Sequence, residues 1–328
     1  MSVQKRATAR AHANIAFIKY WGNNDEELRL PANSSISMNL DGLYAETTVT
    51  WRNDLPHDQL VLNSKAETTG ALQRVEHHLN TLRSRYGLQE KAVVESHNTF
   101  PTGVGIASSA AAFAALTTAA VYAANLDIDE RELSTLARLG SGSAARSVPT
   151  GFAVWYAAQD HEDSYSESIA APDYWDIVDV VAVVSSQHKA VGSSAGHRSA
   201  WTSDLQNARV QGAQARLNRV QTAILDRDFE TFAEVVENDS NLMHAVMMTS
   251  KPPLFYWQPN SLALMEAVRA MRAEGLSVCY TLDAGPNVHC ICKGTDAEEV
   301  ARRLRLMNGV EDVLVAKVGQ GAHIISSS

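Results

Sequence analysis

The chain has 328 residues, of which 45% are hydrophobic and 20% charged, and it carries a formal net charge of -9 at neutral pH. That length accommodates two domains of ordinary size around a substantial core, and the balance excludes a disordered or fibrous chain. The acidic excess excludes a general nucleic-acid binder, because covering a polyphosphate requires a surplus of Lys and Arg. The amino terminus, MSVQKRATAR, has basic residues but no apolar run behind them, so no secretory signal is expected. The Ala-rich stretch from Ala107 to Ala124 is interrupted by Ser108, Ser109, Thr117 and Thr118, which suits a buried helix better than a membrane span. A cytoplasmic location without membrane association follows as the expectation.

In chain order, an apolar run, HANIAFIKYWGN (12–23), reads as an edge strand ending in Lys19, Tyr20 and Trp21. The β-branched alternation of Ala45–Trp51, and similar runs at Gln59–Asn63 and Lys91–Glu95, predict strands. Leu72, Val75, Leu79 and Leu82, three to four apart, predict an amphipathic helix over 69–86. A turn-rich loop, HNTFPTGVGIASS, then leads into the Ala-rich helix, and a second helix, RELSTLARLG, stops at Gly140. The run IVDVVAVVS (177–185) predicts a buried strand, with a loop after it, and the domain division is placed there, giving 1–184 and 185–328. The second half carries helical patterns over 205–223, 229–248 and 261–274, a strand pair around VCYTLDAG and VHCICKG, a further helix and a closing strand at 312–318. This order is that of an α+β protein. Cys279, Cys290 and Cys292 read as core cysteines, with His289 the only obvious neighbour for a metal.

Four segments carry chemistry. In PTGVGIASSAAA, Gly103 and Gly105 free backbone amides just before a helix start, and Ser108 and Ser109 offer hydroxyls to phosphate or magnesium. A capped core helix after a tight turn is the plainer alternative; the Walker and dinucleotide spacings are both absent. In SGSAARS, Arg146 stands among small residues and suits two-point capture of a carboxylate, unless the segment is merely a surface loop. In TLDAGPNVH, Asp283 follows a strand and can act as a base or orient a hydroxyl, or simply cap its own turn. Lys19, in the first run, can neutralise an anion or tune a nearby carboxylate.

Together these segments resemble the GHMP kinase superfamily, in which a PxxxGLASSA-type loop binds ATP phosphates; here Ile106 stands for the usual leucine. More narrowly, NIAFIKYWG, LPANSSISMNL, SHNTFPTGVGIASSAAA, RLGSGSAARS, MHAVMMTSKPPLFYW and YTLDAGPNVH are similar in order and spacing to the mevalonate diphosphate decarboxylase family, from about Ala11 to His323. The resemblance implies a two-lobed fold with a ribosomal-S5-like amino-terminal lobe and a ferredoxin-like carboxyl-terminal lobe. It implies ATP and Mg2+ as cofactors, a phosphorylated hydroxy acid as substrate, a homodimer, and phosphorylation of a tertiary 3-hydroxyl followed by loss of phosphate and carbon dioxide. By the same resemblance, Asp283 orients or deprotonates the hydroxyl, Lys19 keeps Asp283 ionised, and Arg146 holds the substrate carboxylate. Asn14, Tyr20, Trp21, Ser143, Ser193 and His197 fall on the substrate side. Asn98, Pro101, Gly103, Gly105, Ser108 and Ser109 fall on the ATP side, Ser108 also as a metal ligand, with Lys65 a further neighbour of the nucleotide.

Two departures bear on the substrate. The chain reads KYWGN where the family commonly has KYWGK, which puts Asn23 in place of a lysine, and VGSSAGH lacks a basic residue seen in some members. Fewer fixed cations favour the less charged substrate, so the sequence points to mevalonate 5-phosphate giving isopentenyl phosphate, with protonated His197 a partial replacement for the lost charge. Mevalonate 5-diphosphate is the alternative, and a GHMP kinase that stops after phosphoryl transfer, or a metabolite-binding regulator on the same fold, are the rivals.

Overall fold

The computed structural model describes residues 5–68, 70–100, 108–185 and 193–327. Strands come first: β1 (Lys5–Ile18), β2 (Asn23–Asp25), β3 (Leu30–Pro31), β4 (Ser35–Arg52), β5 (Gln59–Leu62) and β6 (Lys65–Glu67). Then follow α1 (Gly70–Tyr86), β7 (Lys91–Asn98), α2 (Ser108–Ala123), α3 (Glu130–Gly140), a 3-10 turn (Gly142–Ser147), β8 (Phe152–Trp155), β9 (Ser166–Ala170) and β10 (Ile177–Val183). The rest is α4 (Ser193–Ser199), α5 (Gln206–Asp226), α6 (Phe229–Thr249), α7 (Pro259–Ala273), β11 (Val278–Thr281), β12 (Val288–Lys293), α8 (Ala297–Arg305), β13 (Asp312–Lys317) and β14 (His323–Ser327).

Two main sheets organise these elements, with β2 and β3 paired separately as a two-stranded ribbon. The larger runs β14-β1-β4-β7-β5-β6, with β8 paired to β4 and β9 to β8, and the smaller runs β11-β12-β10-β13. Alanine sets the spacing in the first lobe. Ala7, Ala9, Ala11 and Ala13 of β1 are buried, as are Ala111, Ala114, Ala115, Ala119 and Ala120 of α2, and all belong to one core. Small residues on both partners let the helix lie close on the sheet, and dense packing rather than side-chain bulk excludes water. In the second lobe Val178, Val180, Ala182, Cys290 and Cys292 pack on Leu264, Val268, Val300 and Leu304 of α7 and α8. The opposite face, with Ile177, Val181, Cys279 and Ile291, joins the larger core together with Phe232 and Val236 of α6. The cysteines are buried core residues, as their strand alternation predicts.

The expected division at 184/185 falls after β10, whereas β10 pairs with β12 and β13 in the second sheet. A strand apolar on both faces must sit inside a sheet, but its hydrophobicity does not say which one. At the other end, β14 returns to pair with residues 7–10 of β1, so that part is flanked on both sides, whereas among the described residues the run from His12 to Ile18 has β4 as its only strand partner, as an edge strand does. β14 carries no strand signal in the sequence, because a five-residue strand lying against one neighbour needs no strong apolar pattern. Helix α4 likewise occupies a segment read as loop.

Candidate active site

The sheet ladder of β1 ends at Ile18, and the chain turns away from it at Lys19. The Lys19 side chain is 1% exposed, and its Nζ donates to Asp283 Oδ1 at 2.7 Å. Asp283 lies in the turn joining β11 to β12, with 26% of its side chain exposed. It does not cap its own turn. Asn287 does the structural work there, its Oδ1 accepting from the N–H of Val184 at 2.7 Å and of Ser185 at 3.1 Å. Burial by itself would raise the Asp283 pKa, but Lys19, His289 and Arg146 together hold it below the ordinary carboxylate value. Burial pushes the Lys19 ammonium down, opposed by Asp283. The site therefore presents an ionised carboxylate fed from one lobe and a buried cation fed from the other.

Arg146 stands in the 3-10 turn after α3 and is 3% exposed. Its Nη1 donates to Ser35 Oγ at 2.6 Å and its Nη2 to Asn14 Oδ1 at 3.1 Å, while Nε is buried with no partner among the described residues. Burial lowers its pKa to about 10, which leaves it charged at neutral pH. Asn14 is fixed in turn by donating to Ser147 Oγ at 2.8 Å and to the Ser143 carbonyl at 3.1 Å. Gly142 is required here: a Cβ would lie 2.6 Å from the Tyr20 ring.

Aromatic residues wall this region. His197 stacks on Tyr20 at 4.1 Å and lies 4.5 Å from Trp21, and its Nδ1 accepts from the Gly22 N–H at 3.0 Å. An imidazole nitrogen that accepts carries no proton, so the ring in this arrangement is neutral and does not replace a missing cation. Trp21 is 2% exposed and belongs to a core cluster with Met243, Met247 and Leu254. It acts as a wall, with Gly196 leaving room for its ring. Asn23 is turned toward Tyr20 and Glu26: it accepts from the Tyr20 hydroxyl and donates to Glu26 Oε1 at 3.1 Å.

On the other side of the 3-10 turn a cavity of about 330 Å3 opens between α1, α2 and the strands β4, β5 and β7. Ser108, Ser109 and Asn98 line it, together with apolar residues including Leu60, Val75 and Leu116. The Asn98 Oδ1 is buried and has no hydrogen-bond partner among the described residues. Ser109 and Ser141 hydroxyls meet at 3.1 Å, which joins the head of α2 to the segment carrying Ser143 and Arg146. Lys65 lies exposed on β6, paired across the ladder with Leu62, which lines the cavity, but does not itself line it. Pro101, Gly103 and Gly105, and the side chain of Ser193, lie outside what the structure describes.

Ser35 and Asn33 were missed as site residues, although both fall within LPANSSISMNL. Ser35 is a ligand of Arg146, and Asn33 donates to the Lys19 carbonyl at 3.0 Å. Polar residues spaced through an apolar strand were the available signal, since burial forces each to find a partner.

Two family models match the chain: the diphosphomevalonate decarboxylase-like N-terminal domain over residues 11–166, and the mevalonate 5-diphosphate decarboxylase C-terminal domain over residues 179–323. The diphosphomevalonate decarboxylase of Aspergillus fumigatus is 39% identical over 326 residues, covering 93% of this chain and 81% of that protein. The phosphomevalonate decarboxylase of Haloferax volcanii is 34% identical over 285 residues, covering 87% of each. A solved structure described as MDDEF in complex with MVAPP, AMPPCP and magnesium is 36% identical, with a TM-score of 0.93 over 98% of this chain and 99% of that one.

Proposed function

The chain belongs to the mevalonate diphosphate decarboxylase family, and from that premise we propose that it is an ATP-dependent decarboxylase of phosphorylated mevalonate. The observation that carries this reading is the 2.7 Å Lys19–Asp283 pair, made between two lobes and facing a buried Arg146 with unused hydrogen-bonding capacity. Asp283 is held ionised and accepts the proton of the substrate 3-hydroxyl as that oxygen attacks the γ-phosphorus of ATP and ADP leaves. Lys19 balances the charge of Asp283 before the proton moves. A tertiary alcohol leaves poorly, whereas its phosphate ester departs as inorganic phosphate with the C3–O bonding pair. The C1–C2 bond then breaks, its electrons form the C2–C3 double bond, and carbon dioxide is released. Arg146 holds the carboxylate in line until that step, and the neutral acceptors on its Nη atoms leave its charge unspent.

The ATP side rests on the cavity at the head of α2 and on the unpartnered Asn98 amide oxygen, both of which fit a nucleotide. Magnesium, when bound, supplies charge neutralisation on the triphosphate, and the half-buried Ser108 hydroxyl would hold it. MVAPP, AMPPCP and magnesium, bound in the 36% identical structure, support the same assignment.

Of the two phosphorylated forms, the names of the relatives support mevalonate 5-diphosphate, giving isopentenyl diphosphate, and this replaces the monophosphate expected from sequence. The second reading, mevalonate 5-phosphate, is favoured by Asn23 being engaged with Tyr20 and Glu26 and by the neutral His197, neither of which supplies a cation. The Haloferax relative is named for that substrate. A paired assay with both substrates, scored by ADP and carbon dioxide, decides: the true substrate gives the two products in equal amounts at a higher kcat/KM. ADP without carbon dioxide from either would sink the decarboxylase reading in favour of a kinase. A homodimer in the cytoplasm remains part of the proposal, and sedimentation of the purified protein at twice the monomer mass tests the first half of it.

A further inference from the structure

Lys19 and Asp283 share an unusual position: each emerges where a sheet ladder has just ended. β1 stops at Ile18 and β11 at Thr281, so the N–H groups of Lys19 and of Leu282, the residue before Asp283, have no strand to pair with. Both are taken up by neighbouring residues of one helix. The Lys19 N–H donates to Asp239 Oδ2 at 2.6 Å, and the Leu282 N–H donates to Ser240 Oγ at 3.0 Å. Asp239 and Ser240 are both fully buried on α6, on the face that continues through Met243 and His244. Asp239 is itself held, its Oδ1 accepting from Arg216 Nε at 2.7 Å, and Arg216 is braced by donating to the Arg209 carbonyl at 2.7 Å. Arg209 closes the circuit on the Lys19 segment, donating to the Trp21 carbonyl at 2.6 Å.

We propose that Asp239 and Ser240 are positioning residues for the reaction: adjacent on one helical turn, they fix the main chain beneath Lys19 and beneath Asp283, and so set the separation of two reacting groups supplied by different lobes. Both are fully buried and engaged with backbone N–H groups, so they act through Lys19 and Asp283 and not as catalytic groups. A buried charged acceptor and a buried hydroxyl, each spent on a backbone N–H next to a reacting side chain, are costly to keep in an apolar helix face unless they are matched by those donors. A misplacement of about 1 Å in a reacting group is enough to cost two orders of magnitude in rate.

The inference rests on the decarboxylase reading, and its test separates the two. Turnover by the wild type, Ser240→Ala, Ser240→Thr and Asp239→Asn is followed with ATP and both phosphorylated mevalonates, as kcat, KM and the acid limb of the pH–rate profile, alongside Tm. Groups facing Asp283 are Lys19 at the end of β1, His289 on β12, Arg146 in the 3-10 turn and His244 on α6, and Asp239 and Arg146 face Lys19. Ser240→Ala is expected to lower kcat about 10-fold with KM for ATP unchanged, and to move the acid limb to higher pH as Asp283 loses part of its support from Lys19. Ser240→Thr, which keeps the hydroxyl, restores both. Asp239→Asn lowers kcat further, and should it fail to fold, Ser240→Ala decides alone. A variant with a lower Tm but wild-type kcat and an unmoved acid limb overturns the inference. A wild type that releases neither ADP nor carbon dioxide from either substrate sinks the underlying reading and the inference with it.

Discussion

Arg138 and Arg146 are near neighbours in the chain, both are buried, and burial draws both guanidiniums down to about 10. Their surroundings nevertheless differ in kind. Arg138 spends its donors on carbonyls and one ring: Leu28 at 3.1 Å, His161 Nδ1 at 2.8 Å, and Ser164, tying the turn after β2 and the connection between β8 and β9 to α3. Arg146 gives its Nη atoms to two neutral oxygens, keeps Nε unpartnered, and faces Asp283. Burial and a displaced pKa therefore do not mark function. What separates the two arginines is unspent hydrogen-bonding capacity beside a carboxylate, Asp283.

That contrast is breakable. The strongest test lies on the carboxylate that Arg146 faces: Asp283→Asn should lower kcat by ~10^3-fold or more while nucleotide affinity, read by fluorescence titration, stays near wild type. Next, Arg146→Gln should lower kcat by ~10^2-fold to ~10^3-fold with little change in Tm. Arg138→Gln should do the reverse, lowering unfolding free energy by about 3 kcal/mol, measured by denaturant titration, with activity per folded molecule near wild type. Equal losses of activity in the two variants would erase the distinction.

The smallest effect is on pH dependence of stability. Burial holds His78 at about 3, His161 at about 4 and His244 at about 3, all below the ordinary value of 6.5. Between those values the unfolded chain binds more protons than the folded one, so stability falls as pH drops below about 6.5, by up to ~1.4 kcal/mol per pH unit for each histidine. Asp283 acts in a lower window: its depressed pKa contributes stability above the ordinary carboxylate value, lost as pH falls through its native value. Denaturant midpoints between pH 7 and pH 4 should therefore decline before turnover loses Asp283, and a flat profile over that range would show these rings protonated in the folded state.

Much of the fold was legible because it is local. The helices α1, α3 and α5 to α8 follow apolar spacing, α2 follows an Ala-rich run buried nearly all round, and β4, β5 and β7 follow β-branched alternation. Lys19, Arg146 and Asp283 stood out as charges beside apolar runs or glycine-rich turns, and the family pattern joined them. Asp239 and Ser240 were not legible, since an acid and a hydroxyl in a long helix read as a solvated face until the elements packed against them are known.

The sequence by itself determined most of the helices and the strongly patterned strands, the residue types able to do the chemistry, and the family to which they belong. Only the tertiary structure decided that β10 lies in the second sheet and that β14 returns to the first. It also decided that His197 accepts at Nδ1 and is neutral, that Asn23 serves Tyr20, and that one turn of α6 receives both orphaned N–H groups. The reason is the same in each case: periodicity reports how a segment meets water, whereas a hydrogen-bond partner from a distant part of the chain is chosen only when burial removes water as the alternative.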